Sequence, residues 1–469
     1  MSKYGVLLPV SSLPGPHGIG DFGKKAYKFI NWLKKNDYSY WQILPLNPIG
    51  PGHSPYMSSC SEAIDPRYIS LDELAKQGYL RKVKIYRVLS SYVNYEKVWA
   101  YKSKYLRFAF KQFKKRNNKS LERFEEEHPW VRPYAIFLVL QEKNDHCPWN
   151  TWPKCDQEYN CQKGFPKGKE DECLFHEWCQ MVAYEQWDKV RSYAKEQGIQ
   201  IIADCPFYVG IESSDCWNNK EEFMFNENYE PTVVSGCPPD AFSEDGQLWG
   251  TPIYNFEKMN ENGYSFLVNR IGNLAKMCDI LRLDHFRAFD TYCVIPGEDT
   301  NARRGEWKEG PRYDFFDHLY QQFPDISLIA EDLGEIFNSV HELRDHYNLP
   351  GMFVVEFMVF CKDLTSNENQ IVYPGTHDNQ TIRGWIRSLE KRDRYNLKRK
   401  LGNPRNLEKA FASYCWNLPS KITIFQMQDL LRLDDNARMN FPGTLGSPNW
   451  EWKLRSMHEL YWPRYKKVK

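Results

Sequence analysis

Short apolar or β-branched runs that end in polar residues recur along the chain, and segments of helix length separate most of them. Runs of this length are typical of buried strands. Strands that alternate with helices favour a parallel sheet, and eight of them can close into a (β/α)8 TIM barrel, an α/β fold. Functional residues are then expected at the carboxyl ends of the strands. The predicted strands are Gly5–Val10, Tyr40–Leu46, Gln200–Pro206, Ile280–His285, Ser327–Asp332, Met352–Phe357, Ile371–Asp378 and Ile422–Asp429.

Two intervals between predicted strands are too long for a single crossover helix. Residues 47–199 are charged and helical in pattern, whereas residues 207–279 include a segment dense in Trp, Asn, Gly and Pro. We therefore predict one catalytic barrel over residues 1–469, with a mainly helical insertion at 47–199 after the second strand. A second insertion at 207–279, after the third strand, is predicted to carry a loop that covers a substrate. Its aromatic side chains are consistent with a ligand platform: Trp217, Tyr229, Trp249 and Tyr254.

Charge and hydropathy exclude several classes of partner. Lys and Arg number 62 and Asp and Glu number 61, so the net charge of +1 lacks the basic excess of a nucleic-acid or anionic-membrane binder. The longest apolar stretches fall short of the roughly 18 residues that span a bilayer. The first residues resemble a strand and lack the apolar core of a secretory signal. We expect a cytoplasmic protein with no nucleic-acid or membrane partner.

The thirteen cysteines are an odd number and are scattered along the chain, so a complete disulfide framework is impossible and reduced thiols fit better. A zinc site is the alternative, because five cysteines lie close to two histidines. No C-x-x-C pair is present, and we therefore favour thiols and predict no metal site. The residues of the alternative site are Cys147, Cys155, Cys161, Cys173 and Cys179, with His146 and His176.

Three carboxylates end three of the predicted strands: Asp284 in LRLDHF, Glu331 in LIAEDLG and Asp378 in YPGTHDN. They are far apart in sequence, and only barrel closure would gather them around one cleft. Each could instead cap the helix that follows its strand. Their neighbours weaken that interpretation, because helix caps need no particular chemistry beside them.

The neighbours of these acids indicate glycosyl chemistry. Arg282 lies two residues before Asp284 and therefore projects to the same side of the strand, where its charge would keep that carboxylate ionised. Glu331 follows an apolar run in which burial would raise its pKa toward that of a proton donor. A nucleophile and an acid about 5 to 5.5 Å apart are typical of retaining glycosidases. Asp378 and two histidines, His285 and His377, could then hold sugar hydroxyls.

The sequence also resembles a known family, the 4-alpha-glucanotransferases called amylomaltase or disproportionating enzyme, glycoside hydrolase family 77 of the alpha-amylase clan. The resemblance runs nearly end to end, and the acid motifs alone would indicate only the clan. The motifs that carry it are LLPVSSLPGPHGIGDFG (7–23), WQILPLNPIGPGHSPYMS (41–58), ADCPFYV (203–209), PPDAFSEDGQLWGTPIYNF (238–256), LRLDHFRAF (281–289), AEDLG (330–334), PGM (350–352), THDN (376–379), MQDLL (427–431) and ARMNFPGT (437–444).

This resemblance implies that Asp284 is the nucleophile, Glu331 the acid/base and Asp378 a transition-state stabiliser. It implies sugar contacts from Tyr56, Asp204, Trp249, Gly250, Arg282 and His377. It further implies transfer of an alpha-1,4-glucan segment to the 4-hydroxyl of glucose or another glucan, through a covalent intermediate and with no cofactor. The expected partners are alpha-1,4-glucans and maltooligosaccharides as donors, and glucose or maltooligosaccharides as acceptors.

Two other functions remain open at this point. A hydrolase of the same clan would share the three acids and use aromatic side chains in the same way. A non-catalytic glycan-binding protein would keep the groove and lose an acid, and all three acids are present.

Overall fold

The computed structural model describes residues 3–86, 88–116, 119–239, 244–334, 336–361, 365–461 and 465. Part of the PPDAFSEDG motif, residues 240–243, lies outside them. The strands are β1 Lys3–Leu7, β2 Tyr40–Gln42, β3 Gln200–Cys205, β4 Val233–Cys237, β5 Gln247–Pro252, β6 Ile280–Leu283, β7 Thr291–Pro296, β8 Glu306–Glu309, β9 Leu328–Ala330, β10 Gly351–Val354, β11 Gln370–Tyr373 and β12 Ile422–Gln426.

The α-helices follow the same order along the chain. They are α1 Lys24–Lys35, α2 Leu71–Lys76, α3 Tyr95–Lys114, α4 Ser120–Glu127, α5 Val131–Lys143, α6 Lys154–Gln157, α7 Glu170–Glu196, α8 Ser214–Asn218, α9 Phe256–Glu261, α10 Ser265–Ala275, α11 Arg312–Gln322, α12 Asn338–His346, α13 Val355–Met358, α14 Ile382–Ser388, α15 Lys391–Lys400, α16 Leu407–Asn417 and α17 Met427–Leu430.

Eight parallel strands form one sheet in the order β10-β11-β12-β1-β2-β3-β6-β9, so strands that follow one another along the barrel are neighbours. The two ends of this order also meet, because the Ala330 N–H donates to the Pro350 carbonyl oxygen at 2.9 Å. Side chains from the strands fill the centre with a separate apolar cluster that includes Leu7, Ile202 and Met352. The predicted (β/α)8 barrel is confirmed.

The predicted strands begin close to the observed ones but extend too far at their carboxyl ends. The run predicted at Met352–Phe357 ends as a strand at Val354 and continues as α13. The run predicted at Ile422–Asp429 likewise turns into α17 after Gln426. These ends are loops or short helices, and they are where the polar residues of interest lie.

Between β2 and β3 lie α2 to α7, and the 27-residue helix α7 packs against α1, α3, α4, α5 and β3. Its buried residues include large apolar side chains such as Trp178, Trp187 and Met181. This helix therefore joins the inserted helices to the outer layer of the barrel.

A second sheet, which the sequence analysis did not predict, is antiparallel with the order β5-β4-β7-β8. Strands β4 and β5 come from the segment between β3 and β6, whereas β7 and β8 follow β6. The short strand β7 begins directly after the 3-10 helix Phe286–Phe289, which itself follows Asp284. The sheet is thus attached to the barrel on both sides of β6.

A search of the described part of the chain for helices long and apolar enough to cross a bilayer finds none.

Candidate active site

Two of the three predicted acids stand directly after neighbouring barrel strands. Asp284 follows β6 and Glu331 follows β9, and the parallel ladder continues through both residues. The Asp284 N–H donates to the Cys205 carbonyl at 3.0 Å, and the Glu331 N–H donates to the Leu283 carbonyl at 3.0 Å. The Glu331 side chain also reaches the residue next to Asp284, since the His285 backbone N–H donates to Glu331 Oε2 at 2.8 Å. Barrel geometry therefore brings these two carboxyl groups to one cleft.

Arg282 connects Asp284 to a second acid. Its Nη2 lies 3.0 Å from Asp284 Oδ1, and its Nη1 donates to both carboxylate oxygens of Asp204 at 2.7 Å. The Asp204 side chain is fully buried, whereas that of Asp284 is 27% exposed. The predicted pairing of Arg282 with Asp284 is therefore present, and Asp204 shares the same guanidinium.

Tyr56 continues this chain of contacts toward the third acid. Its hydroxyl donates to Asp204 Oδ2 at 2.7 Å and lies 3.0 Å from His377 Nε2. The Tyr56 and His377 rings are stacked with centroids 5.6 Å apart. His377 Nε2 in turn lies 3.3 Å from Asp378 Oδ2. Side chains that lie on or after four different barrel strands, β2, β3, β6 and β11, are thus linked around one rim.

Asp378 has two further partners that the sequence analysis did not single out. Asn440 Nδ2 donates to Asp378 Oδ1 at 2.7 Å, and Arg438 Nη2 donates to the Asp378 backbone carbonyl at 2.5 Å. Both residues belong to the ARMNFPGT motif that helps to carry the resemblance. The motif was the available signal, but nothing in its residue types reveals which side chain reaches the acid.

The electrostatics of the two adjacent acids differ from the prediction in one respect. Burial raises the pKa of Asp284 to about 7, and the nearby Arg282 guanidinium, which lowers it, only partly offsets this effect. Arg282 lowers the pKa of Asp284 as predicted, but the prediction that this keeps the carboxylate fully ionised at neutral pH is wrong, because the larger opposing effect of burial was not visible in the sequence. Burial also raises the pKa of Glu331 well above its usual value, as predicted for a proton donor, and the negative charge of Asp284 adds to this.

Of the two histidines near these acids, His377 is buried and His285 is partly buried, and both imidazoles are neutral at pH 7. Burial lowers the pKa of His285 to about 3 and lowers the pKa of His377. His285 has a left-handed backbone with φ of 49°, and its buried Nε2 has no hydrogen-bond partner among the residues that the structure describes.

The aromatic residues of the second insertion divide into two groups. Trp249, on β5, is exposed, and its ring meets the edge of His285 at a centroid distance of 4.9 Å. Gly250 follows it with φ of +73°, a conformation that favours glycine. Trp217 and Tyr254, in contrast, are buried and bond backbone carbonyls. The expectation that these two rings form part of a ligand platform is therefore wrong, because they pack in the core.

The cysteines of the alternative zinc site differ in their environments: Cys147 and Cys155 are exposed, whereas Cys161, Cys173 and Cys179 are buried. Among the residues that the structure describes, no three His, Cys, Asp or Glu side chains are placed to hold a metal ion. Burial raises the pKa of the Cys173 thiol to about 12 and that of Cys161 to about 11. These two thiols are therefore protonated and unreactive at neutral pH.

The family model described as 4-alpha-glucanotransferase matches residues 8–458, nearly the whole chain. The chain belongs to the 4-alpha-glucanotransferase family. A curated 4-alpha-glucanotransferase of Aquifex aeolicus is 38% identical, with 97% of this chain and 96% of that protein covered. A chloroplastic or amyloplastic 4-alpha-glucanotransferase of Solanum tuberosum is 36% identical over 97% of this chain and 82% of its own length.

The structure also resembles a solved structure of amylomaltase from Streptococcus agalactiae in complex with acarbose. The TM-score is 0.93 at 32% sequence identity, and the match covers 98% of this chain and 97% of the other. The predicted family and the predicted 4-alpha-glucanotransferase enzyme class are confirmed.

Proposed function

We propose that this 4-alpha-glucanotransferase works by retaining double displacement, with Asp284 as nucleophile, Glu331 as acid/base and Asp378 as transition-state stabiliser. The observation that carries the proposal is the placement of Asp284 and Glu331 after neighbouring strands, where Glu331 bonds the N–H of the residue next to Asp284. Retaining enzymes need two carboxyl groups close enough to act on one linkage. Asp378 reaches the same rim through its contact with His377.

In the first step, protonated Glu331 donates its proton to the glycosidic oxygen while the Asp284 carboxylate attacks the anomeric carbon. The glycosidic bond breaks, the reducing-end fragment leaves as an alcohol, and the donor fragment stays as an ester of Asp284. In the second step, ionised Glu331 takes the proton of an acceptor 4-hydroxyl. That oxygen attacks the anomeric carbon and releases the Asp284 carboxylate.

The remaining contacts of the rim suit binding of the reacting sugar. Arg282 and Asp378 present a cation and a carboxylate, and the neutral His285 imidazole packs beside the Trp249 ring. The exposed Trp249 ring provides an apolar face at the edge of the site, of the kind that packs on sugar rings. We propose alpha-1,4-glucans and maltooligosaccharides as donors, and glucose or maltooligosaccharides as acceptors.

Transfer rather than hydrolysis depends on an acceptor hydroxyl being held beside the ester, since a bound group has a large advantage in effective concentration over a free one. Incubation with maltotriose followed by chromatography tests this. Glucose together with longer oligomers is expected. A gain in reducing ends without longer products would instead indicate a hydrolase. An unchanged distribution of oligomer lengths after a day at high enzyme concentration would indicate a binding protein.

The covalent step has its own test. A fluorinated glucosyl fluoride that forms a slowly hydrolysed ester should label the protein, and peptide mass mapping should locate the label on Asp284. The Asp284→Asn variant is the matched control and should remain unlabelled. A label on Glu331 would contradict the assigned roles.

A further inference from the structure

Asp378 depends on other side chains for its orientation, because its own side chain is 45% exposed. One carboxylate oxygen, Oδ1, accepts the Asn440 amide at 2.7 Å, and the other lies 3.3 Å from His377 Nε2. The Asp378 backbone carbonyl accepts from Arg438 at 2.5 Å. The carboxylate and the main chain of Asp378 are therefore both held by the same short segment, residues 438–440.

This segment is itself fixed in place. The Asn440 N–H donates to the His377 carbonyl at 3.2 Å, and the Trp450 N–H donates to the Met439 carbonyl at 2.7 Å. On the far side, the Phe441 N–H donates to Asn449 Oδ1 at 2.8 Å. The Asn440 amide thus approaches Asp378 from a backbone that is bonded on both sides of it.

Arg438 contributes charge as well as a hydrogen bond. Its guanidinium faces the carboxyl groups of Asp435, Asp378 and Glu356. Burial raises the pKa of Glu356 well above its usual value, which favours the neutral form of that carboxyl group. Arg438 is then a cation beside the loop that carries Asp378, and its bond to the carbonyl holds that loop.

We infer that Asn440 is a positioning residue, which fixes the Asp378 carboxylate in the orientation that stabilises the transition state. The inference rests on the role proposed above for Asp378. An amide bonded to an ionised oxygen is a charge-assisted contact, and it selects one rotamer of a side chain that solvent would otherwise reach. Its loss should affect the transition state more than the bound substrate.

The test is the Asn440→Ala variant, assayed for glucose release and longer oligomers from maltotriose. We expect kcat to fall on the order of 10- to 100-fold, the effect of losing one hydrogen bond to a charged group. We expect KM to change by less than about threefold, since ground-state binding is retained.

A double-mutant cycle with Asp378→Asn separates positioning from a general structural role. If Asn440 acts through Asp378, adding Asn440→Ala to Asp378→Asn should change kcat by less than about twofold. An activated glucosyl fluoride donor keeps the slow variants measurable. Fully additive losses would overturn the inference, and so would a variant whose only defect is a raised KM.

The Asn449→Ala variant tests whether loosening the segment 438–440 is by itself enough to reduce kcat. It is suited to this because Asn449 bonds the Phe441 N–H without contacting Asp378. We expect it to lower the melting temperature while reducing kcat less than Asn440→Ala does. An equal or larger loss of kcat would contradict the inference. Near-normal transfer by Asp378→Asn would remove the role proposed for Asp378, whereas an inactive Asp378→Asn beside a fully active Asn440→Ala would overturn only the role of Asn440.

Discussion

The pH dependence of kcat/KM offers a direct test of how burial and charge act on the nucleophile. Burial raises the pKa of Asp284 to about 7, with Arg282 opposing and Asp204 reinforcing the shift. In the proposed mechanism Asp284 attacks as a carboxylate, so activity should be lost as the pH falls through 7. We expect kcat/KM to decrease about tenfold for each further pH unit. The proposed mechanism also requires a protonated Glu331, and burial and the negative charge of Asp284 both raise its pKa, which favours that form.

The acidic limb of the pH profile is the range in which kcat/KM falls as the pH decreases. Two substitutions should move this limb in opposite directions. Arg282→Met removes a cation 3.0 Å from Asp284 Oδ1, and opposite charges at such distances lower a carboxyl pKa by about 1 to 3. The limb should therefore move upward by about 1 to 3 pH units. Asp204→Asn removes a negative charge that raises the pKa of Asp284, so the limb should move downward. Arg282→Lys, which keeps the charge, is the matched control.

The assay is initial-rate transfer from low concentrations of maltotriose between pH 4.5 and 9, with thermal unfolding measured in parallel. Unfolding data are needed because Asp204 is fully buried, and a buried charge left without its partner costs about 3 to 5 kcal/mol. Because Asp284 and Glu331 interact, the measured values belong to the pair. A wild-type limb near pH 4, or the same limb in all four proteins, would refute the reasoning.

Three further substitutions test single contacts. Asp284→Asn should abolish turnover and leave glucan binding largely intact by calorimetry, because charge is lost with little change in volume; near-normal transfer would remove Asp284 as nucleophile. Glu331→Gln should slow ordinary maltosaccharide donors far more than a glucosyl fluoride, whose leaving group needs no proton; equal losses would argue against an acid role. Tyr56→Phe removes the hydroxyl that bonds Asp204 and faces His377 and should lower kcat/KM about tenfold or more; an unchanged value would mean that this link is dispensable.

The barrel could be predicted because each of its strands is a short apolar run, and because segments of helix length separate most of these runs in the sequence. The carboxyl-terminal ends of the strands were predicted less well. Apolar residues such as Val355 and Met427 suit a strand and a single helical turn equally, and only the packed rim decides between them. The positions of Asp284 and Glu331 were still predictable, since each directly follows its strand.

Other features depend on contacts between distant segments. The antiparallel sheet pairs β4 with β7, which are separated by more than fifty residues of other structure, and no local pattern encodes such pairing. The same holds for Asn440, which is 62 residues from Asp378 and is identified only by the bond between them. Trp217 and Tyr254 show the converse error, because an aromatic residue in a turn-rich segment was interpreted as exposed when it belongs to the core.

The course of the chain through β6 and β7 has a consequence for engineering. The strand β7 starts seven residues after Asp284, and it pairs with the strand next to the one that carries Trp249. The antiparallel sheet β5-β4-β7-β8 takes two strands from each side of Asp284. Exchanging this sheet between relatives to alter acceptor choice therefore means exchanging the polypeptide on both sides of Asp284. A chimera cut only at the ends of β4 and β5 would join one parent's tryptophan to the other parent's strand pairing, so successful grafts should span residues 233–309 as a single block.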